Sequence, residues 1–301
     1  MHLFDDRIPA LPGAKLRPAN VSLEDYRQLQ RRMGLTRMVI VQPSTYGFEN
    51  QVMMDSLVSS EGARGVAVIQ STVSDAELKA MHTAGVRGIR LNLSFGGACI
   101  EDMERLSARV NELGWQVQFV SPGSFLPELD ARFRRLPSPL VIDHMAEISQ
   151  PGGITSEPFK VLERLLDTDH VWVKLSGAYI SSAIGAPGFA DVGKIAMALV
   201  AQRADRLVGV LTGRMSLRAV RNRTMRNWQI CYWHGHHPKQ CVTKFCVTMR
   251  VGFIILLKRR VPPLRAPCVW GFEVHFSRPK EPRFCGAQPF KRTSAPSISQ
   301  D

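Results

Sequence analysis

Short apolar runs rich in β-branched residues alternate with helix-like stretches through the first two hundred residues. That alternation restricts the fold more than any other feature of the chain. Runs over 38–42, 65–70, 86–93, 115–120, 140–144 and 170–175 read as strands, and a further strand begins at 205–208. Between them, 50–59, 74–83, 101–113, 125–133, 158–166 and 190–202 read as helices, with Ser74-Asp75-Ala76-Glu77 as a capping-type start. Strand and helix in turn imply βαβ units and a parallel sheet. Six or seven such units in about 200 residues favour a (β/α)8 TIM barrel over an open sheet. Gly96-Gly97 follows a strand but lacks the spacing of a dinucleotide-binding loop, which weakens the open-sheet alternative.

In a barrel of this kind the chemistry gathers at the C-terminal ends of the strands. Those ends carry Ser44 and Tyr46, Gln70, Arg90 and Asn92, Gln118, Asp143 and His144, and Lys174 and Ser176. Arg90 and Lys174 stand inside strands that are otherwise apolar, where a buried charge is costly unless paired or used. Both can form a salt-bridge layer within the barrel, point outward between helices, or hold a ligand. His144, preceded by Asp143 and a strand, is a functional candidate. His82 at a helix end and His170 at a strand start read as structural.

Composition matters at one place, the break after residue 208. The chain has a net charge of +13. Residues 209–301 hold 17 Lys and Arg against 3 Asp and Glu, a net of +14, which leaves −1 for residues 1–208. Cys99 alone precedes the break, whereas Cys231, Cys241, Cys246, Cys268 and Cys285 follow it. An apolar content of 45% excludes disorder for the chain as a whole. The apolar stretch 251–257 is far shorter than the roughly 20 residues of a membrane span, and the opening Met1-His2-Leu3-Phe4-Asp5-Asp6, without a basic or apolar run, is not expected to act as a leader. The expectation is a cytoplasmic protein with two regions: a barrel over 1–208 and a basic tail over 209–301.

Five motifs in order, each at or near a strand end, carry a resemblance. They are Phe4-Asp5-Asp6-Arg7-x-Pro9-Ala10, Gln42-Pro43-Ser44-x-Tyr46-Gly47, Arg87-Gly88-x-Arg90-x-Asn92, Val141-Ile142-Asp143-His144-Met145 and Val173-Lys174-Leu175-Ser176-Gly177. Together they resemble the amidohydrolase-related TIM-barrel hydrolases, in the branch of 2-pyrone-4,6-dicarboxylate lactonase. The resemblance implies hydrolysis of a small carboxylated lactone or similar ester. It implies that His2 and His144 polarise the carbonyl or ligate a divalent metal, zinc or manganese, although metal-independent members also exist. Arg90 would grip a substrate carboxylate, with Ser44 and Tyr46 hydrogen-bonding it and Asn92, Gln118 and Lys174 lining the pocket. The family's further basic residue after the strand of Arg90 is replaced by Ser94-Phe95-Gly96-Gly97, which leaves lactones other than the dicarboxylated pyrone open.

Two departures from the family pattern stand at the ends of the match. The family opens with D-x-H-x-H on its first strand, and here His2 takes the place of the second histidine, so the first strand is expected to be cut. It closes with W-G-x-D-W-P-H on the last strand, where this chain reads Gly209-Val210-Leu211-Thr212-Gly213-Arg214-Met215. Codons for those seven residues, read again with one T placed in front, force Trp and then permit Gly, an aliphatic residue, Asp, Trp, Pro and His. The reading this supports is that 209–301 is translated out of frame after Val208. The barrel is then incomplete, with low solubility and hydrolase activity near background as expectations. Taken literally, Cys231-x-x-His234-x-His236-His237-x-x-x-Cys241-x-x-x-x-Cys246 offers a zinc- or nucleic-acid-binding module on a degenerate barrel. Its irregular spacing and the repeated prolines favour a non-native, disordered tail, with no nucleic-acid or membrane partner.

Overall fold

Each apolar run of the first region becomes a parallel strand in the computed structural model, which describes residues 1–14, 17–33, 35–94, 100–186 and 188–209, and three strands between 245 and 276. The strands are β1 (Val39–Val41), β2 (Arg64–Ala67), β3 (Val86–Asn92), β4 (Gln116–Val120), β5 (Leu140–Ile142), β6 (Val171–Leu175) and β7 (Leu207–Gly209). They pair in parallel in chain order, from β1 at one edge to β7 at the other. A helix follows each of β1 to β6, so the molecule is a partial (β/α) barrel, as the alternation requires.

The helices are α1 (Leu23–Met33), α2 (Gln51–Val58), α3 (Asp75–Ala84), α4 (Met103–Asn111), α5 (Leu126–Phe133), α6 (Glu157–Leu166), the short α7 (Ala178–Ser181) and α8 (Ala190–Arg203). Ser74 and Glu77 cap α3 reciprocally, as their spacing predicts. The sequence reading omitted α1. Its start is marked by the same device, since Asp25 accepts from the Ser22 amide while its own amide donates to Ser22 Oγ.

Apolar side chains recur at helical spacing on the faces of α4 (Met103, Leu106, Val110) and α5 (Leu126, Leu129, Phe133). They pack against Ile89 and Leu91 of β3 and Val117 and Phe119 of β4, so the main core lies between sheet and helices. Strand alternation then sends Arg90, Asn92, Gln118 and Lys174 to the opposite face of the sheet.

Beyond β1, the segment Met1 to Leu3 takes up the next strand position. The Met1 amine donates to Val39 O at 2.9 Å, and the Val41 amide donates to Met1 O at 2.8 Å. This is parallel pairing, and it places His2 level with Val41 at the end of β1.

In the second region, β8 (Phe245–Met249), β9 (Phe253–Arg259) and β10 (Phe272–Phe276) form a separate antiparallel sheet in the order β10-β9-β8. Strand structure was not expected there. The run Phe253-Ile254-Ile255-Leu256-Leu257 supplies the β-branched signal for it. Cys231, His234, His236, His237 and Cys241 of the zinc reading lie outside the described residues. Among the described residues, no helix is long and apolar enough to cross a membrane.

Candidate active site

Arg90 and Asn92 sit on one face of β3, Gln118 in register with Arg90 on β4, and Lys174 near the end of β6. Asp143 follows directly on β5. All five are buried. Lys174 Nζ lies 2.6 Å from Asp143 Oδ1 and donates to Gln118 Oε1 at 2.6 Å. Arg90 Nη2 lies 3.6 Å from Asp143 Oδ2. The strand charges therefore do form an ion-paired layer, centred on Asp143, to which the sequence reading gave no role.

That layer is not saturated. The Arg90–Asp143 contact is longer than a hydrogen bond, and Arg90 Nε, also buried, has no hydrogen-bond partner among the described residues. Burial favours the neutral carboxyl of Asp143, but the Lys174 and Arg90 charges outweigh it and hold the group below the ordinary carboxylate range. Burial pulls Lys174 down, against the attraction of Asp143. We take the pair as ionised, because Asp143 has two cations to satisfy it.

His2 and His144 flank this layer. His2 Nδ1 is 2.8 Å from the Val41 carbonyl, which can only accept, so Nδ1 carries the proton. Burial, followed by the Arg90 charge, keeps its pKa well below the usual histidine value. A neutral His2 in this tautomer exposes the lone pair of Nε2. His144 Nδ1 meets Ser176 Oγ at 2.9 Å, and its pKa falls to about 4, chiefly through burial against the opposing attraction of Asp143.

His144 sits in an unusual backbone. His144, Met145, Ala146 and Glu147 all have positive φ, between 47° and 57°, which forms a left-handed turn immediately after Asp143. Left-handed conformation costs an ordinary residue about 1–2 kcal/mol, so such a run persists only where its surroundings impose it. Two glycines do so. A Cβ on Gly123 would stand 2.9 Å from Ala146 O, and one on Gly177, itself at φ +67°, would stand 2.7 Å from His144 Nδ1.

The turn brings Glu147 into the site, and the sequence reading had passed over it. Its Oε2 accepts from Ser94 Oγ at 3.2 Å; the Ser94 amide donates to Asn92 Oδ1 at 3.0 Å, and Asn92 Nδ2 donates to Ser44 Oγ at 2.8 Å. This chain links the ends of β1, β3 and β5. Tyr46 does not join it: its hydroxyl exchanges hydrogen bonds with the backbone of Asp5, and its ring packs with Phe4 and Val21. His82 accepts from Trp115 Nε1 and His170 contacts Phe133 O, both away from the site.

The donor set suits an anion better than a divalent metal. Asp143 already serves two cations, and any metal beside it would face Arg90 and Lys174. Among the described residues, no three His, Cys, Asp or Glu side chains gather as a metal site requires.

Residues 1–208 match the family described as Amidohydrolase. The chain is 35% identical over 184 residues to a 2-pyrone-4,6-dicarboxylate hydrolase of Comamonas testosteroni, a match covering 58% of this chain and 60% of that protein. It is 33% identical over 216 residues to a 4-sulfomuconolactone hydrolase of Rhizobium radiobacter, covering 69% of this chain and 72% of that one. A ligand-free structure from Agrobacterium tumefaciens superimposes with a TM-score of 0.67 at 26% identity, over 71% of this chain and 80% of the other.

Proposed function

This chain belongs to the amidohydrolase family, and we propose that its barrel is built to hydrolyse a small carboxylated lactone, without a metal. The unsaturated Arg90 beside the Asp143–Lys174 pair carries this reading. A substrate carboxylate would complete the guanidinium's hydrogen bonds, and a charge-assisted contact in a buried site both binds and orients. The two named relatives act, by their names, on lactones that carry acidic groups, which supports the same class for this chain.

Lactone hydrolysis then needs a polarised carbonyl and an activated water. Neutral His144 can donate to the carbonyl oxygen from the ring nitrogen not facing Ser176. His2, whose Nε2 is a lone pair, is an acceptor and orients the water. Ser44, Asn92 and Gln118 hold the surrounding polar frame. Asp143, committed to two cations, is a poor base. The carboxylate that the resemblance places after β7 is absent from the present reading frame, so turnover by this chain is held near background.

Hydrolysis of a panel of lactones, followed by proton release, tests the reading with this chain and with one whose frame is restored after Val208. We expect background rates from the first and turnover of carboxylated lactones from the second. Equal turnover of uncarboxylated esters, or none by either chain, would overturn it.

A further inference from the structure

We propose that Glu147 selects the substrate within the lactone class: it accepts a hydrogen bond from a substrate hydroxyl beside the Arg90 site and excludes a second carboxylate there. The inference rests on the lactone reading above and names its substrate as a hydroxylated lactone with a single carboxylate.

Glu147 is the last residue of the left-handed turn, three residues after His144. Gly123 lies against the backbone of that turn, where a Cβ would stand 2.9 Å from Ala146 O, so a larger residue there would collide with the turn. One carboxylate oxygen is held by Ser94. The other, Oε1, is buried and has no hydrogen-bond partner among the described residues. A buried acceptor left in that state is costly, and a ligand donor would satisfy it.

Charged groups bear on Glu147 from two strands. Burial and Asp143, at the end of β5, favour its neutral form, while Arg90 on β3 and the Ser94 hydroxyl favour the anion. Burial dominates, and the carboxyl titrates above its ordinary range. When ionised, Glu147 repels a ligand carboxylate placed beside it and attracts a hydroxyl. Specificity thus comes from one repulsive and one attractive element in the same side chain.

Calorimetric titration of the full chain tests this, using a hydroxylated γ-lactone monocarboxylate and an unhydroxylated lactone dicarboxylate as probes. At neutral pH the native chain should prefer the hydroxylated monocarboxylate by about tenfold. Glu147→Gln should narrow that ratio to about threefold, mainly by improving the dicarboxylate. As pH falls and Glu147 protonates, dicarboxylate affinity should rise in the native chain and stay flat in Glu147→Gln. Glu147→Asp keeps the charge but shortens the reach, so it should still reject the dicarboxylate while losing the hydroxyl preference. This variant and the native chain's own pH response carry the test should the Gln variant fail to fold. An unchanged ratio and pH response in Glu147→Gln, with both probes bound, overturns the inference alone. Failure of the native chain to bind either probe defeats the lactone reading instead.

Discussion

Removing the Asp143 carboxylate would leave Arg90 and Lys174 as buried cations without a counter-charge. Losing one partner of a buried ion pair typically costs about 3–5 kcal/mol. Asp143→Asn should therefore lower the unfolding free energy by that much, measured by urea titration, and abolish lactone binding. His144 makes a separate prediction about pH. Its folded pKa of about 4 lies below the ordinary histidine value of 6.5, so the unfolded chain binds the proton more readily between them. Stability should be constant above about 6.5 and fall as pH drops toward 4, by a loss on the order of 3 kcal/mol. His144→Gln should remove that part of the slope in a pH series of melts. At this scale the placing of Arg90, Lys174 and His144 at strand ends was legible, because charge and histidine stand out in apolar runs. Asp143 and Glu147 were harder to see: acidic residues after a strand are ordinary in loops, and only the fold shows what they face. Tyr46 shows the reverse, a strand-end residue whose hydroxyl is spent on the backbone of Asp5.

Among the elements, β1 to β7 and the helices α2 to α6 and α8 fall within a few residues of where hydrophobic periodicity puts them, whereas the four-residue α7 was not expected. Each strand carries at least one valine or isoleucine. The left-handed turn was illegible, since the sequence His144-Met145-Ala146-Glu147 contains no glycine or asparagine to announce positive φ. Its cause lies elsewhere in the chain, in the room left by Gly123 and Gly177. Gly177→Ala adds a methyl group 2.7 Å from His144 Nδ1 and a side chain at φ +67°. The backbone cost is about 1–2 kcal/mol. The displaced imidazole would lose its contact with Ser176, so binding and any turnover should fall well beyond what that modest loss of stability explains. A melting curve and a ligand titration on the same preparation separate the two effects.

For the whole molecule, the family match ends at residue 208, the same place where charge and cysteine content change. Every residue assigned to the site lies between His2 and Ser176, on or beside strands of the parallel sheet. The strand β7 closes the described part of that sheet, and among the described residues the antiparallel strands β8 to β10 pair with one another. Sequence periodicity could count the barrel units because each unit repeats the same pattern. It gave no guide to the tail, whose short apolar run is the one local signal there.

The central claim is that the partial barrel presents Arg90 to a substrate carboxylate. It is tested most directly by calorimetric titration of the full chain with a carboxylated lactone and with the same lactone lacking the carboxylate. The account predicts saturable binding of the first alone, weakened about 100-fold in Arg90→Met. Equal binding of both lactones, or unchanged affinity in a folded Arg90→Met variant, would contradict it.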